Sequence, residues 1–261
     1  VVAPVSEELM KGAGVVLVLL LARNHVVSTT NGLVVGGTVG AAFAFVENIQ
    51  SLLQAHAEGS GVLGTTILLR LVMSPFVHPI ATSLIGFFFA AALLKRGHAW
   101  SWTWRILLGF LLAMAFHSLW NGLASLGTQW LTLYALIEAP LFIAWLTWVG
   151  TQGSRELKQV SEGLQAYVAS GWVSEDEARM VTDLRARKYA KRWARKVGRP
   201  APKVLRSFLR AGGALGMDQR NMERTGADPE RVALSREALT RMQEDRVAIA
   251  ALSATQTGAK K

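Results

Sequence analysis

The sequence predicts an all-α, polytopic transmembrane helical bundle followed by a soluble helical tail, on the strength of two observations. Apolar stretches long enough to cross a membrane fill the first 150 residues, and charge is concentrated after them. Of 261 residues, 51% are hydrophobic and only 18% charged. Twenty-two of the 28 Lys and Arg and 13 of the 18 Asp and Glu follow residue 150, so the tail carries nine of the ten net positive charges. This divides the chain into a transmembrane domain over 1–150 and a basic helical tail over 151–261.

Crossing a ~30 Å hydrocarbon core takes about 20 residues of helix. About five candidates run over 5–22, 32–53, 64–94, 105–126 and 129–149. The third is too long for one straight span, and Pro75 and Pro79 are placed to kink or divide it, since each removes a helix hydrogen bond. The chain opens abruptly, without an initiator methionine and with a charged motif at residue 7, which points to further spans upstream. Arg23 follows the first candidate, and Lys95, Arg96 and Arg105 bracket the loop between the third and fourth. The 54–64 and 127–129 loops contain neither Lys nor Arg. The positive-inside rule therefore expects the Arg23 end, the 95–105 loop and the tail to be cytoplasmic, with the opposite end outside.

In the tail, Ser174-Glu175-Asp176-Glu177 reads as a capping box opening a helix that runs to about Lys196 and ends at Gly198 and Pro200. Asp228-Pro229-Glu230 reads as a second start, leading to about Leu252. Gly212-Gly213 and Gly226 are expected to punctuate what lies between, and Ser253 to Lys261 to be disordered. The basic run Arg185 to Lys196 contains no recognised nucleic-acid module. On a membrane-tethered tail its expected partner is anionic lipid, and no nucleic acid is expected.

The absence of cysteine excludes disulfides, thiol catalysis and Cys-ligated zinc. What remains for chemistry is a short set of polar residues inside apolar segments, where a charge costs roughly 2.5–3.5 kcal/mol on insertion scales unless it is paired or wet. Pro4-Val5-Ser6-Glu7-Glu8-Leu9-Met10-Lys11 sets two carboxylates one helical turn before a lysine, so all three can share a face. Glu47 ends Phe43-Ala44-Phe45-Val46-Glu47 and follows the small-residue run Gly36 to Ala42, which permits close helix contact. His78 lies between Pro75 and Pro79. His117 and Asn121, four apart, share a helix face. Arg70 and Glu138 read as an ion pair across spans, and His25, His56 and His98 as solvated loop residues. At 1.5 Å per residue, Glu47, His78 and His117 fall in the outer half or near mid-depth, so one water-filled cavity can hold them with the carboxylates of the first span.

In this order, Glu7-Glu8-x-x-Lys11, Phe45-Val46-Glu47-Asn48, His78 and His117-Ser118-Leu119-Trp120-Asn121 resemble the PrsW family of intramembrane proteases, related to the group of CAAX prenyl proteases and bacteriocin-processing or immunity proteins. The similarity covers residue 4 to about 122. Glu47 favours the PrsW branch, because the CAAX-type branch usually has His there. The resemblance implies peptide-bond hydrolysis at the outer side of a bacterial plasma membrane, with a single-pass membrane protein such as an anti-sigma factor as substrate.

Two adjacent carboxylates in a low-dielectric cavity cannot both ionise cheaply, which poises a general acid beside a base. The expected roles are Glu7 or Glu8, with Glu8 preferred, activating water with Glu47 or His117, Asn121 and a protonated His holding the oxyanion, and Lys11 tuning the charge. A glutamic-type mechanism without a cofactor is expected over a metal one, since His-Glu-x-x-His is missing. If the enzyme is metal-dependent, zinc held by Glu8, Glu47, His78 and His117 is the expected form. A transporter using these residues as a proton path, or a non-catalytic scaffold or immunity-type protein, are the alternatives.

Overall fold

In the computed structural model, residues 2–94, 99–227 and 229–258 are described. Lys95 and Arg96, on which part of the charge argument rests, lie outside them, as do His98, expected as a solvated loop residue, and Asp228. Every regular element among the described residues is helical, and the chain divides into two compact units, Val1–Thr151 and Gln152–Lys261.

In the first unit, α1 (Val2–Leu21), α2 (Thr29–Glu58), α4 (Val77–Leu94) and α5 (Ala99–Ala124) form the bundle. Between α2 and α4 lies α3 (Ser60–Ile67), set off from α2 by Gly59, whose φ of 119° favours glycine. A π-helical segment, Leu68–Met73, extends α3. After α5, α6 (Trp130–Leu133) passes through a second π-helical segment, Tyr134–Glu138, into α7 (Ala139–Ala169). The expected break falls at Ser74–Phe76. There the Ser74 amide and hydroxyl both donate to the Leu69 carbonyl, at 2.9 and 2.7 Å, and the Tyr134 hydroxyl donates to that of Met73 at 3.2 Å, so these two carbonyls at the break are satisfied within the protein.

Among the described residues, four segments are long and apolar enough to cross a membrane: Thr29–Glu58, Ser60–Leu94, Ser101–Ala124 and Trp130–Ala169. The fifth expected span, α1, forms over 20 residues but carries Glu7, Glu8 and Lys11, too many charges to pass on composition alone. It packs instead through Val15 and Leu19, both essentially fully buried, against Val26, Phe89 and Ala90. Leu17 and Leu21 point outward, 59% and 80% exposed, as an apolar environment permits. The centre of the unit is α4, where even Thr82 and Ser83 are fully buried.

Glycine decides how α2 meets α4. A Cβ added at Gly32, Gly36 or Gly40 would overlap the carbonyl oxygen of Gly86, Thr82 or His78 respectively, so the helices touch backbone to backbone along a three-glycine seam. The last of these contacts fixes the depth of His78 against α2 about two turns before Glu47. His56, expected in a loop, is on the exposed end of α2, and His25 is in an exposed 3-10 turn.

In the second unit, the Ser174–Glu177 capping box forms as expected. The helix it opens does not continue to Lys196. It stops at Thr182 (α8, Glu175–Thr182), because Asp183 accepts the Arg185 and Ala186 amides and starts α9 (Leu184–Val197). Gly212-Gly213 does not interrupt the chain but lies inside α10 (Ala201–Thr225), where a Cβ at Gly212 would strike Val181. α11 (Pro229–Gly258) continues six residues past Leu252, so most of the segment expected to be disordered is helical. Leu205, Phe208, Leu215, Met217 and Met242 are buried between these helices. Arg246 forks onto Glu177 at 2.6 and 2.9 Å and ties α11 to the start of α8. Burial alone would raise the Glu177 carboxyl, but the Arg246 fork and the Ser174 amide outweigh it and hold it below its ordinary value of 4.5.

Gly40→Ala should cost about 1–3 kcal/mol by overpacking, whereas Gly37→Ala, which meets nothing within 4 Å, should be neutral or slightly stabilising. Thermal unfolding in detergent distinguishes the two. In the second unit, a carboxyl whose folded pKa is depressed contributes stability that is complete above 4.5 and is lost as pH falls through the lowered value. Acidification should therefore speed hydrogen exchange in α8 and α11. Arg246→Ala should reduce that dependence at a cost of about 1 kcal/mol, small because Arg246 is 42% exposed.

Candidate active site

Glu7 and Glu8 lie near the start of α1, Glu47 in the second half of α2, His78 at the start of α4 and His117 toward the end of α5. Alternating helix direction places all of them toward one end of the bundle, with Arg23 and Arg105 toward the other. The sequence-predicted residues meet around one cavity of about 490 Å³, whose walls include Glu7, Glu47, His78, His117 and Asn121.

The centre of the cluster is Lys11, whose side chain is 1% exposed. Its ammonium lies 3.2 Å from Glu7 Oε2, 2.8 Å from Glu8 Oε1 and 2.8 Å from His78 Nδ1, and it sits 3.9 Å from the centre of the Phe43 ring. An ammonium only donates, so His78 Nδ1 accepts. His78 Nε2 then carries the hydrogen and donates to Glu47 Oε2 at 2.7 Å. Glu47 keeps its other oxygen for Arg70, 3.1 Å away.

Glu8 is completely buried and is not part of the cavity wall. Its Oε1 accepts from Lys11 and from His117 Nδ1 at 2.9 Å, and its Oε2 from the Thr82 hydroxyl at 3.4 Å. A carboxylate at Nδ1 leaves the lone pair of His117 on Nε2. That nitrogen lies 3.9 Å from Glu7 Oε2, and both residues line the cavity. The two imidazoles stand edge to face at 4.9 Å, so the same small volume contains one ring with both nitrogens engaged and one with a nitrogen open. Asn121, one turn beyond His117, lines the cavity with its side chain exposed.

The expected pairing of Arg70 with Glu138 does not form. Arg70 projects from the π-helical segment onto Glu47, while Glu138 is buried with neither carboxylate oxygen hydrogen-bonded among the described residues. Spacing alone could not separate two carboxylates for one arginine. Arg70, Thr82, Asn48 and Trp130 belong to the site or its wall without having been singled out for it. Thr82 was legible, since it lies one turn after His78 on the same face.

Glu7, His78 and His117 offer one carboxylate oxygen and two imidazole nitrogens, all within 4.8 Å of one another. By type and distance this set fits a zinc ion. In the arrangement described, however, Lys11 and Glu47 engage both nitrogens of His78, so an ion there would displace the Lys11 ammonium from Nδ1 or the Glu47 carboxylate from Nε2.

No curated protein and no solved structure matches the chain. A family profile described as PrsW family intramembrane metalloprotease matches residues 1–145, the whole bundle with every residue of the cavity wall named above. The match spans more than half of the sequence, and the chain therefore belongs to the PrsW family of multi-pass membrane proteases.

Proposed function

We propose that the protein hydrolyses a peptide bond of a single-pass membrane protein at the outer edge of a bacterial plasma membrane, using a water held between Glu7 and His117. The observation that carries this reading is the 3.9 Å gap between Glu7 Oε2 and His117 Nε2 at the cavity wall. A water there can donate to both acceptors. As it attacks the scissile carbonyl, Glu7 takes its proton, and the carbonyl oxygen gains charge where Asn121 can donate. The same proton, delivered by Glu7, completes departure of the amine. Glu8 acts through His117, holding Nδ1 so that Nε2 faces the water. Glu47 does the same for His78, and Lys11 keeps the negative charge of two neighbouring carboxylates compensated. The earlier expectation had Glu8 as the base. Its burial and three hydrogen-bond donors favour Glu7 in that role.

The second reading, metal-dependent hydrolysis, rests on the same Glu7, His78 and His117 set. A bound metal would supply Lewis-acid polarisation and a more acidic water. We favour the glutamic reading because Lys11 and Glu47 already engage both nitrogens of His78.

The side of cleavage follows from charge. Arg23 and Arg105 mark the cytoplasmic side, so the site opens outside, and the basic tail after the last span is cytoplasmic. Family resemblance supplies an anti-sigma factor as the substrate class. A transporter or a non-catalytic scaffold would also bury polar residues, and what favours proteolysis over both is the match to a family of intramembrane proteases.

Glu7→Gln should lower peptide hydrolysis by about 10²–10⁴-fold with little change in thermal stability. Glu8→Gln should lose activity and also cost about 3–5 kcal/mol, because it breaks a buried ion pair. Equal melting temperatures for the two variants would contradict this division of roles. Hydrolysis should survive exhaustive chelation. Loss of activity restored by zinc would instead establish the metal-dependent form. Membrane-protein fragments found by mass spectrometry in cells carrying the parent protein, and missing with Glu7→Gln, would identify the substrate. Identical fragments in both would refute proteolysis.

A further inference from the structure

The second unit carries a surface that the proposed chemistry does not use. On α9, Ala190 and Ala194 are buried and define the packed face. Arg187 turns inward and donates to the Val181 carbonyl. The opposite face displays Arg185, Lys188, Lys191, Arg192, Arg195 and Lys196, all exposed. At 3.6 residues per turn, Leu184 and Tyr189 fall on the two flanks of this strip, about 140° apart. They are 65% and 77% exposed. Among the described residues, no carboxylate forms an ion pair with any of the six basic residues. Asp183, the nearest acid in sequence, is committed to the Arg185 and Ala186 amides at the helix start.

Like charges three and four apart repel one another on a helix. Glu or Asp at alternate positions would have relieved this, so α9 holds an uncompensated cationic strip. A cationic strip flanked by an outward leucine and tyrosine suits a helix lying on a lipid interface, with the cations on headgroups and the two apolar side chains at the edges of the contact. Nucleic acid or an acidic protein would satisfy the charge but would not require the exposed leucine. Lipid also has an advantage of proximity, because the same chain carries segments able to span the bilayer.

We propose that the exposed face of α9 binds the anionic headgroups of the membrane that holds the chain, with Leu184 and Tyr189 entering the headgroup layer. This does not depend on the protease reading.

The absence of cysteine provides the test, since one introduced cysteine is a unique labelling site. The full chain with Tyr189→Cys, carrying an environment-sensitive fluorophore, is placed in nanodiscs of phosphatidylcholine alone or with phosphatidylglycerol. Blue-shifted emission, quenched by brominated acyl chains, is expected only with phosphatidylglycerol. The shift should be lost near 1 M salt, where the screening length falls to about 3 Å. It should also be lost in the Lys188→Glu, Arg192→Glu double variant. Slowed hydrogen exchange of α9 in the unlabelled chain, again only with phosphatidylglycerol, should accompany it and guards against an effect of the label. Identical emission and exchange in both lipids would overturn the proposal. So would a response elicited in phosphatidylcholine discs by added RNA or polyglutamate and not by phosphatidylglycerol.

Discussion

A buried ammonium organises the first unit. Lys11 brings two carboxylates, an imidazole and an aromatic face to one point between α1, α2 and α4. Out of water, such a charge would carry a penalty of several kcal/mol if its fully enclosed partner Glu8 were withdrawn. The energetics therefore bind α1, which carries three charged residues near its start, to the most buried helix of the bundle. The charges that count against α1 as a lipid-exposed span hold it in place once the partners come from within the protein.

The same ion pair distributes roles among chemically similar groups. Two adjacent glutamates differ because one is enclosed and fully engaged while its neighbour retains 22% side-chain exposure at the cavity. Two histidines differ because one faces a donor and an acceptor, whereas the other faces a carboxylate on one side and open space on the other. No sequence pattern separates Glu7 from Glu8. The separation depends on which side of α1 meets Thr82 and His117.

The all-helical class, the break near Pro75 and the convergence of Glu7, Glu47, His78 and His117 were legible, because apolar length, proline chemistry and rise per residue constrain them strongly. The tail was less so. Asp183 was read as a residue within a helix, yet its carboxylate captures two amides and starts a new one. Gly212 was read as a break, although packing against Val181 keeps it helical. In both cases a local preference gave way to contacts made by residues distant in sequence or to a side-chain bond that periodicity does not register. Arg70 illustrates a third kind of difficulty. Two acids were available to it, and the choice depended on how a widened turn aimed its side chain.

That widened turn has its own consequence. A π segment accommodates one residue more than α-helical geometry would, and each residue turns the chain by about 100°. The wall that presents Arg70 to Glu47 is therefore set by residue count as well as residue identity. An insertion or deletion inside Leu68–Met73 can leave an unbroken helix and conserve every charged group, yet aim the guanidinium at lipid. For this part of the cavity, spacing between motifs carries as much chemical information as the motifs themselves.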